Sequence, residues 1–219
     1  MSEHTYQYVL WDFDGTLANT LASAVTVYNE LAGVYGYQTV TDPAAFKGQK
    51  SRDILKQLGI PFWKLPWFVS EFVKRQRRSM ADIRLFPEIP EVLTELRNSG
   101  VALGIVSSNA EENIRVCLAA NQAEHYFQFI VGNASIFGKH IALRQTIARH
   151  ALKHEQVLYV GDEVRDIEAA HRVRIDIAAA TWGWHAEAML REQQPSYMVH
   201  APGDLLNILR INIIPRDSD

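Results

Sequence analysis

Five short apolar runs punctuate the chain: YQYVLW at 6–11, VALGIVS at 101–107, FQFIVG at 127–132, QVLYVG at 156–161 and IDIAAAT at 175–181. They favour β-branched or aromatic residues and are bounded by Gly, Asp or Ser, which is a strand pattern. Their apolarity is nearly continuous rather than alternating, so burial on both faces is expected, as in a parallel sheet. Between them, PEVLTELRNSG, AEENIRVCLAANQ, ALRQTIARHALK and DIEAAHRV carry helical spacing. In the first of these Val92, Leu93 and Leu96 share a face, and Gly100 supplies a stop. Strand alternating with helix predicts an α/β fold with a doubly wound parallel sheet. Such sheets place their sites beyond the C-terminal ends of the strands.

Residues 19–83 break the alternation. TLASAVTVYNELAGVYG, DPAAFKGQKSRDILKQLG and LPWFVSEFVKRQRRSM all read as helical, with no strand pattern between them. The predicted organisation is a core of residues 1–18 and 84–219, with a small helical insert, residues 19–83, after the first strand. The chain returns to the core near RLFPEIP. No internal repeat or low-complexity tract is present.

With 219 residues, 47% of them apolar, the chain can form a sizeable core. The net charge of −3 gives no electrostatic case for nucleic acid, and the basic run KRQRR at 74–78 is too short to supply one. Cys117 is the single cysteine, which excludes an intramolecular disulfide; it lies in a helical pattern and reads as packing. The N-terminus lacks a signal-peptide pattern, and no apolar stretch approaches the ~18 residues that suggest a membrane span. A cytoplasmic location is expected, with no membrane partner, as monomer or homodimer. The histidines are scattered, and His150 and His154 at i, i+4 lack an acidic partner motif.

The first run passes directly into acid: YVLWDFDGT places Asp12 and Asp14 two apart, facing the same space in an extended segment, with Gly15 allowing a turn. Two charges ~4 Å apart repel by about 4 kcal/mol at an effective dielectric near 20, so either a retained proton or a nearby cation must offset them. Alone, the pair reads equally well as turn and cap residues. Other strand ends shift that balance. VLYVGDEVRD ends in Gly161-Asp162, with Asp166 on the same side of a following helix, although an acid in a first turn also complements a helix dipole. GIVSSN ends in Ser107, Ser108 and Asn109, which offer hydroxyl and amide groups or simply an N-cap. Lys139 opens a helix, where anions are favoured. Hard oxygen donors suit Mg²⁺, while hydroxyls, helix N-terminal amides and a lysine suit a phosphoryl group.

DFDGTL, VSSN, GK and GDEVRD, in this order, resemble the haloacid dehalogenase (HAD) superfamily of phosphohydrolases. The resemblance is to its phosphoglycolate-phosphatase and β-phosphoglucomutase branch, spans nearly the whole chain and extends to ATWGWHAEAML. It implies a helical cap over residues 19–83. It implies Asp12 as nucleophile forming an aspartyl-phosphate, and Asp14 as general acid and then base. Mg²⁺ would be held by Asp12, the Asp14 carbonyl and Asp162, with Asp166 steadying that shell or ordering Lys139. Ser107, Lys139 and Asn109 would hold phosphoryl oxygens, with Ser107 preferred to Ser108, and Thr16 would order the acid pair. The implied substrate is a small phosphorylated metabolite of phosphoglycolate or sugar-phosphate type. Alternatives are a phosphomutase, separable by phosphate release, and a non-catalytic phospho-acceptor of receiver type. Asp14 argues against hydrolytic dehalogenation, because the dehalogenase branch lacks this second acid.

Four positions depart from that family's pattern. Glu88 and Arg174 stand at common glycine positions, where a positive φ is expected, His140 replaces a usual proline and Glu163 a frequent serine. In the insert, Lys47, Lys50 and Arg52 read either as a solvated helix face or as ligands for a second anionic group. Phe62, Trp63, Trp67 and Phe68 read either as core or cap packing or as an aromatic wall on the substrate.

Overall fold

A computed structural model of the chain describes residues 6–46, 49, 51–134 and 138–209, Ser51 and Arg52 through their backbone alone. Lys47 and Lys50, and the side chain of Arg52, therefore lie outside the described residues. Six strands form one parallel sheet: β1 (Tyr8–Trp11), β2 (Ala102–Val106), β3 (Phe129–Val131), β4 (Val157–Gly161), β5 (Asp176–Ala180) and β6 (Tyr197–Val199), in the order β3-β2-β1-β4-β5-β6. The five apolar runs supply β1 to β5, each strand one to three residues shorter than its run. β6 was not anticipated, because SYMVH offers only three strand residues and Val199 alone is buried among them.

Burial on both faces is direct. Val9 and Trp11 enter one hydrophobic cluster and Leu10 the other, and Leu158 and Val160 alternate in the same way with Val157 and Tyr159. One face is covered by α4 (Ile89–Asn98), α5 (Glu111–Ala120) and α9 (Asp204–Ile208). The other is covered by α6 (Lys139–Arg149), α7 (Val164–Val173) and α8 (Glu187–Glu192). Cys117 is fully buried in the first cluster, as its helical position predicted. The short α8 and α9 carried no helical signal strong enough to be read from sequence.

The chain leaves the sheet and returns to it at one point. Phe86 N–H donates to the Leu17 carbonyl (2.9 Å) and Asn19 N–H to the Arg84 carbonyl (3.0 Å), close to the predicted 18/84 boundary. Between these contacts lie α1 (Leu21–Tyr35), α2 (Ser51–Gln57) and α3 (Leu65–Gln76), with short 3-10 turns and, among the described residues, no strand. Val27, Tyr28, Leu31, Ala32, Leu58 and Phe68 form a third apolar cluster there, separate from the two sheet faces. The aromatic expectation needs correction: only Phe68 is buried, whereas Phe62, Trp63 and Trp67 are exposed (62%, 76% and 44%). Trp67 instead meets Tyr35 edge-on at 4.7 Å. The KRQRR run is a solvated face with ion pairs such as Arg77–Glu112 (2.5 Å), but Gln76 in its midst is buried. No helix among the described residues is long and apolar enough to cross a membrane.

The positive φ expected at two family glycine positions is present with the larger residues in place: Glu88 at 66° and Arg174 at 59°. Arg174 caps α7 in the left-handed region and is exposed. A Cβ there costs conformational energy that glycine avoids. Arg174→Gly is expected to stabilise the protein by about 1 kcal/mol, measured by urea unfolding; a destabilised variant would contradict the assigned backbone conformation.

Candidate active site

The parallel register sets the site. Trp11 aligns with Ile105 on β2 and with Val160 on β4, so the three central strands end nearly level. The first residues past the ends of β1, β2 and β4 are Asp12, Ser107 and Asp162 respectively, all buried. Asp12 is held from two directions: its Oδ1 accepts the Phe13 N–H (2.8 Å) and its Oδ2 accepts from Lys139 Nζ (2.6 Å). Lys139 also donates to Asp166 Oδ1, which joins the start of α6 to the first turn of α7. Asp166 Oδ2 accepts the Glu163 N–H (3.0 Å), half of a reciprocal capping box that fixes where α7 begins. Asp12, Asp162 and Asp166 offer oxygens that lie within 4.8 Å of one another.

Among the described residues, no side-chain cation pairs with Asp162. Its carboxylate accepts from Thr16 Oγ1 (2.7 Å) and from the Trp184 N–H (2.6 Å). A Cβ on Gly15 or on Gly183 would land on this carboxylate, and Gly15 also has a φ of +78°. Both glycines are thus required by the close approach of their backbones. Burial, and then the charges of Glu163, Asp166 and Asp12, push the Asp162 carboxyl well above the ordinary carboxylate range. Asp166 rises to about 6, because burial outweighs the opposing charge of Lys139. Burial opposes the charge on Lys139, yet Asp12 and Asp166 together raise it above the ordinary lysine value.

Asp14 faces outward into a chamber of about 780 Å³ between the sheet edge and the helices of residues 21–76. Asn109 Nδ2 donates to both Asp14 carboxylate oxygens at 3.0 Å, and the Thr20 hydroxyl also bonds Asp14. Burial, then the Asp12 charge, raises Asp14 to about 6 against those hydrogen bonds. Two acids adjacent in space thus differ in setting, Asp12 beside a buried ammonium and Asp14 at the chamber floor. That difference allows separate roles. All the oxygen donors around Asp12 and Asp162 are hard, and negative charge there exceeds positive, so the residues fit a small divalent cation.

The sequence pattern of the haloacid dehalogenase-like hydrolases matches residues 9–180. The chain belongs to this family. It is 34% identical over 206 residues to a phosphoglycolate phosphatase of Synechococcus elongatus, covering 91% of this chain and 95% of that protein. It is also 24% identical to the pyrophosphatase PpaX of Bacillus cereus, with 92% and 95% covered. A haloacid dehalogenase-like protein of Streptococcus pneumoniae superposes with a TM-score of 0.79 at 22% identity, over 93% of this chain and 98% of that one, which bears on the fold alone. With phosphatases as its relatives, this member of the HAD family is an enzyme of phosphatase type.

Most of the predicted constellation converges: Asp12, Asp14, Asn109, Lys139, Asp162 and Asp166 come from distant segments to one sheet edge. Thr16 differs from expectation, since it orders Asp162 rather than the Asp12–Asp14 pair. Ser107 is fully buried and its Oγ accepts the Asn109 N–H (3.3 Å), whereas Ser108 lines the chamber. Asn109 reaches Asp14 in this state. Sequence reasoning missed Gln76, Thr20 and Arg165, all on the chamber wall. For Arg165 the available signal was a cation placed between Glu163 and Asp166 at a helix start.

Asp14 binds its proton more tightly folded than unfolded. Its stabilising contribution is therefore present below the ordinary carboxylate range and lost as pH rises through about 6. In chelator-treated protein, Asp14→Asn should gain about 2 kcal/mol relative to wild type between about pH 4 and about pH 8. Urea unfolding at both pH values measures this; a constant difference between the two proteins would contradict it.

Proposed function

We propose that this enzyme hydrolyses a phosphate monoester of a small metabolite by way of an aspartyl-phosphate on Asp12, with Mg²⁺ as its cofactor. The observation that carries the reading is the pairing of Asp12, clamped by Lys139, with Asp14, held at the chamber floor by Asn109. Asp12 Oδ attacks phosphorus and the bond from phosphorus to the leaving oxygen breaks. The proton held on Asp14 passes to that oxygen, and the alcohol departs. Water then attacks the aspartyl-phosphate, Asp14 takes its proton, and inorganic phosphate and the free Asp12 carboxylate result. Asp14 starts in the protonated form more readily than an ordinary carboxyl, as its raised pKa supports. Lys139, with Ser107 or its neighbour Ser108, is suited to the phosphoryl oxygens.

Asp12, the Asp14 main-chain carbonyl and Asp162 would hold Mg²⁺, which supplies neutralisation of the phosphoryl charge. Asp166 acts through Lys139 and Thr16 acts through Asp162, both as positioning residues. The helices of residues 19–83 serve as a cap domain over the 1–18 and 84–219 core, and leaving-group selection lies between the two. The Synechococcus relative makes phosphoglycolate the first substrate to try, with sugar phosphates next.

Purified enzyme with Mg²⁺ should release inorganic phosphate from p-nitrophenyl phosphate and from phosphoglycolate. Asp12→Asn should fall below about one-thousandth of the wild-type rate; near-normal turnover by that variant would end the proposal. Chelation should abolish turnover and added Mg²⁺ restore it, so activity that survives exhaustive chelation would remove the metal from the scheme.

A further inference from the structure

We infer that Arg165 is a specificity residue on the core side of the chamber, gripping a second anionic group, carboxylate or phosphate, on the substrate's leaving portion. The inference rests on the phosphatase reading above. Among the described residues that line the chamber, Arg165 is the one cation. Among the described residues the rest of the lining is largely aliphatic and aromatic, including Leu21, Phe68, Val69 and Phe72, and Asp42 also lines the chamber.

The guanidinium has spare donors. One terminal nitrogen donates to Glu163 Oε1 (2.5 Å) and the other reaches Ser108 Oγ at 3.3 Å. Its Nε–H is buried and, among the described residues, has no partner. A buried, unpartnered donor costs free energy, and a turn of the guanidinium toward the chamber that Arg165 lines would offer it to a ligand oxygen. A planar fork of this kind matches a carboxylate or phosphate in bidentate fashion. Ser108, one of its two present partners, directly follows Ser107 at the end of β2, so the fork lies near the phosphoryl site but is reached from the chamber. Glu163 holds the guanidinium in place and also competes with an incoming anion for it.

The test compares phosphoglycolate, which carries a second anion, with ethyl phosphate, which lacks one, using the full chain and Mg²⁺. Wild type should prefer phosphoglycolate in kcat/KM. Arg165→Gln should reduce that preference by about tenfold to a hundredfold, mainly through KM. Arg165→Lys, which keeps the charge without the fork and carries the test if the Gln variant fails to fold, should fall between. Glu163→Gln retains the cap acceptor while removing the competing charge, and should lower KM for phosphoglycolate relative to ethyl phosphate. A preference that Arg165 substitutions leave intact would overturn the assignment, as would an equal loss on both substrates, which would put Arg165 on the transferred phosphoryl group. Wild type that releases no phosphate even from p-nitrophenyl phosphate would instead sink the phosphatase reading itself.

Discussion

An excess of buried negative charge governs this structure. Asp12, Asp162 and Asp166 crowd one sheet edge with Asp14 and Glu163 beside them, and among the described residues Lys139 and Arg165 are the cations set against them. Carboxylates ~4 Å apart repel by about 4 kcal/mol at an effective dielectric near 20, which is a large share of a domain's stability. Such a cluster persists only if the surrounding fold fixes each member. The level ends of β1, β2 and β4 do this, together with the capping box of α7, the Thr16 hydroxyl and the backbone N–H of Trp184. Asp162 accepts hydrogen bonds from Thr16 and Trp184 and, among the described residues, pairs with no side-chain cation.

A chamber adjoins that charge. Its floor is polar and acidic where Asp14 and Asn109 meet, and its upper wall is apolar, drawn from α1, α2 and α3. Low polarity above strengthens every charge–charge contact below. Asp12 itself is buried behind this floor, while Asp14, Ser108 and Arg165 face the open space. On the proposed function, the chemistry and the recognition of the leaving group would lie on adjoining surfaces, joined through the short segment that runs from Asp162 to Asp166.

The strands were legible because parallel strands buried on both faces leave uninterrupted apolar runs, and the acids were legible because they stand directly after those runs. β6 was not, since a three-residue edge strand with one buried residue leaves no such trace. Positive φ at Glu88 and Arg174 was legible only as a break in a family pattern. Partnerships across the chain were hidden: Thr16 meets Asp162 from 146 residues away, and Asn109 meets Asp14 from 95. Periodicity and spacing report local geometry, so they could bring these residues to one edge of the sheet but not say which oxygen each would hold. The exposed Trp63 illustrates the converse, because a dense aromatic run suggests burial that local turns at the start of α3 do not provide.

Anomalous diffraction from crystals soaked in Mn²⁺, standing in for Mg²⁺, addresses the charge deficit most directly. The expected result is a single peak bridging the carboxylates of Asp12 and Asp162, with Lys139 still between Asp12 and Asp166. No peak at that edge of the sheet, or one elsewhere in the chain, contradicts the proposal that this acid cluster is completed by a divalent cation.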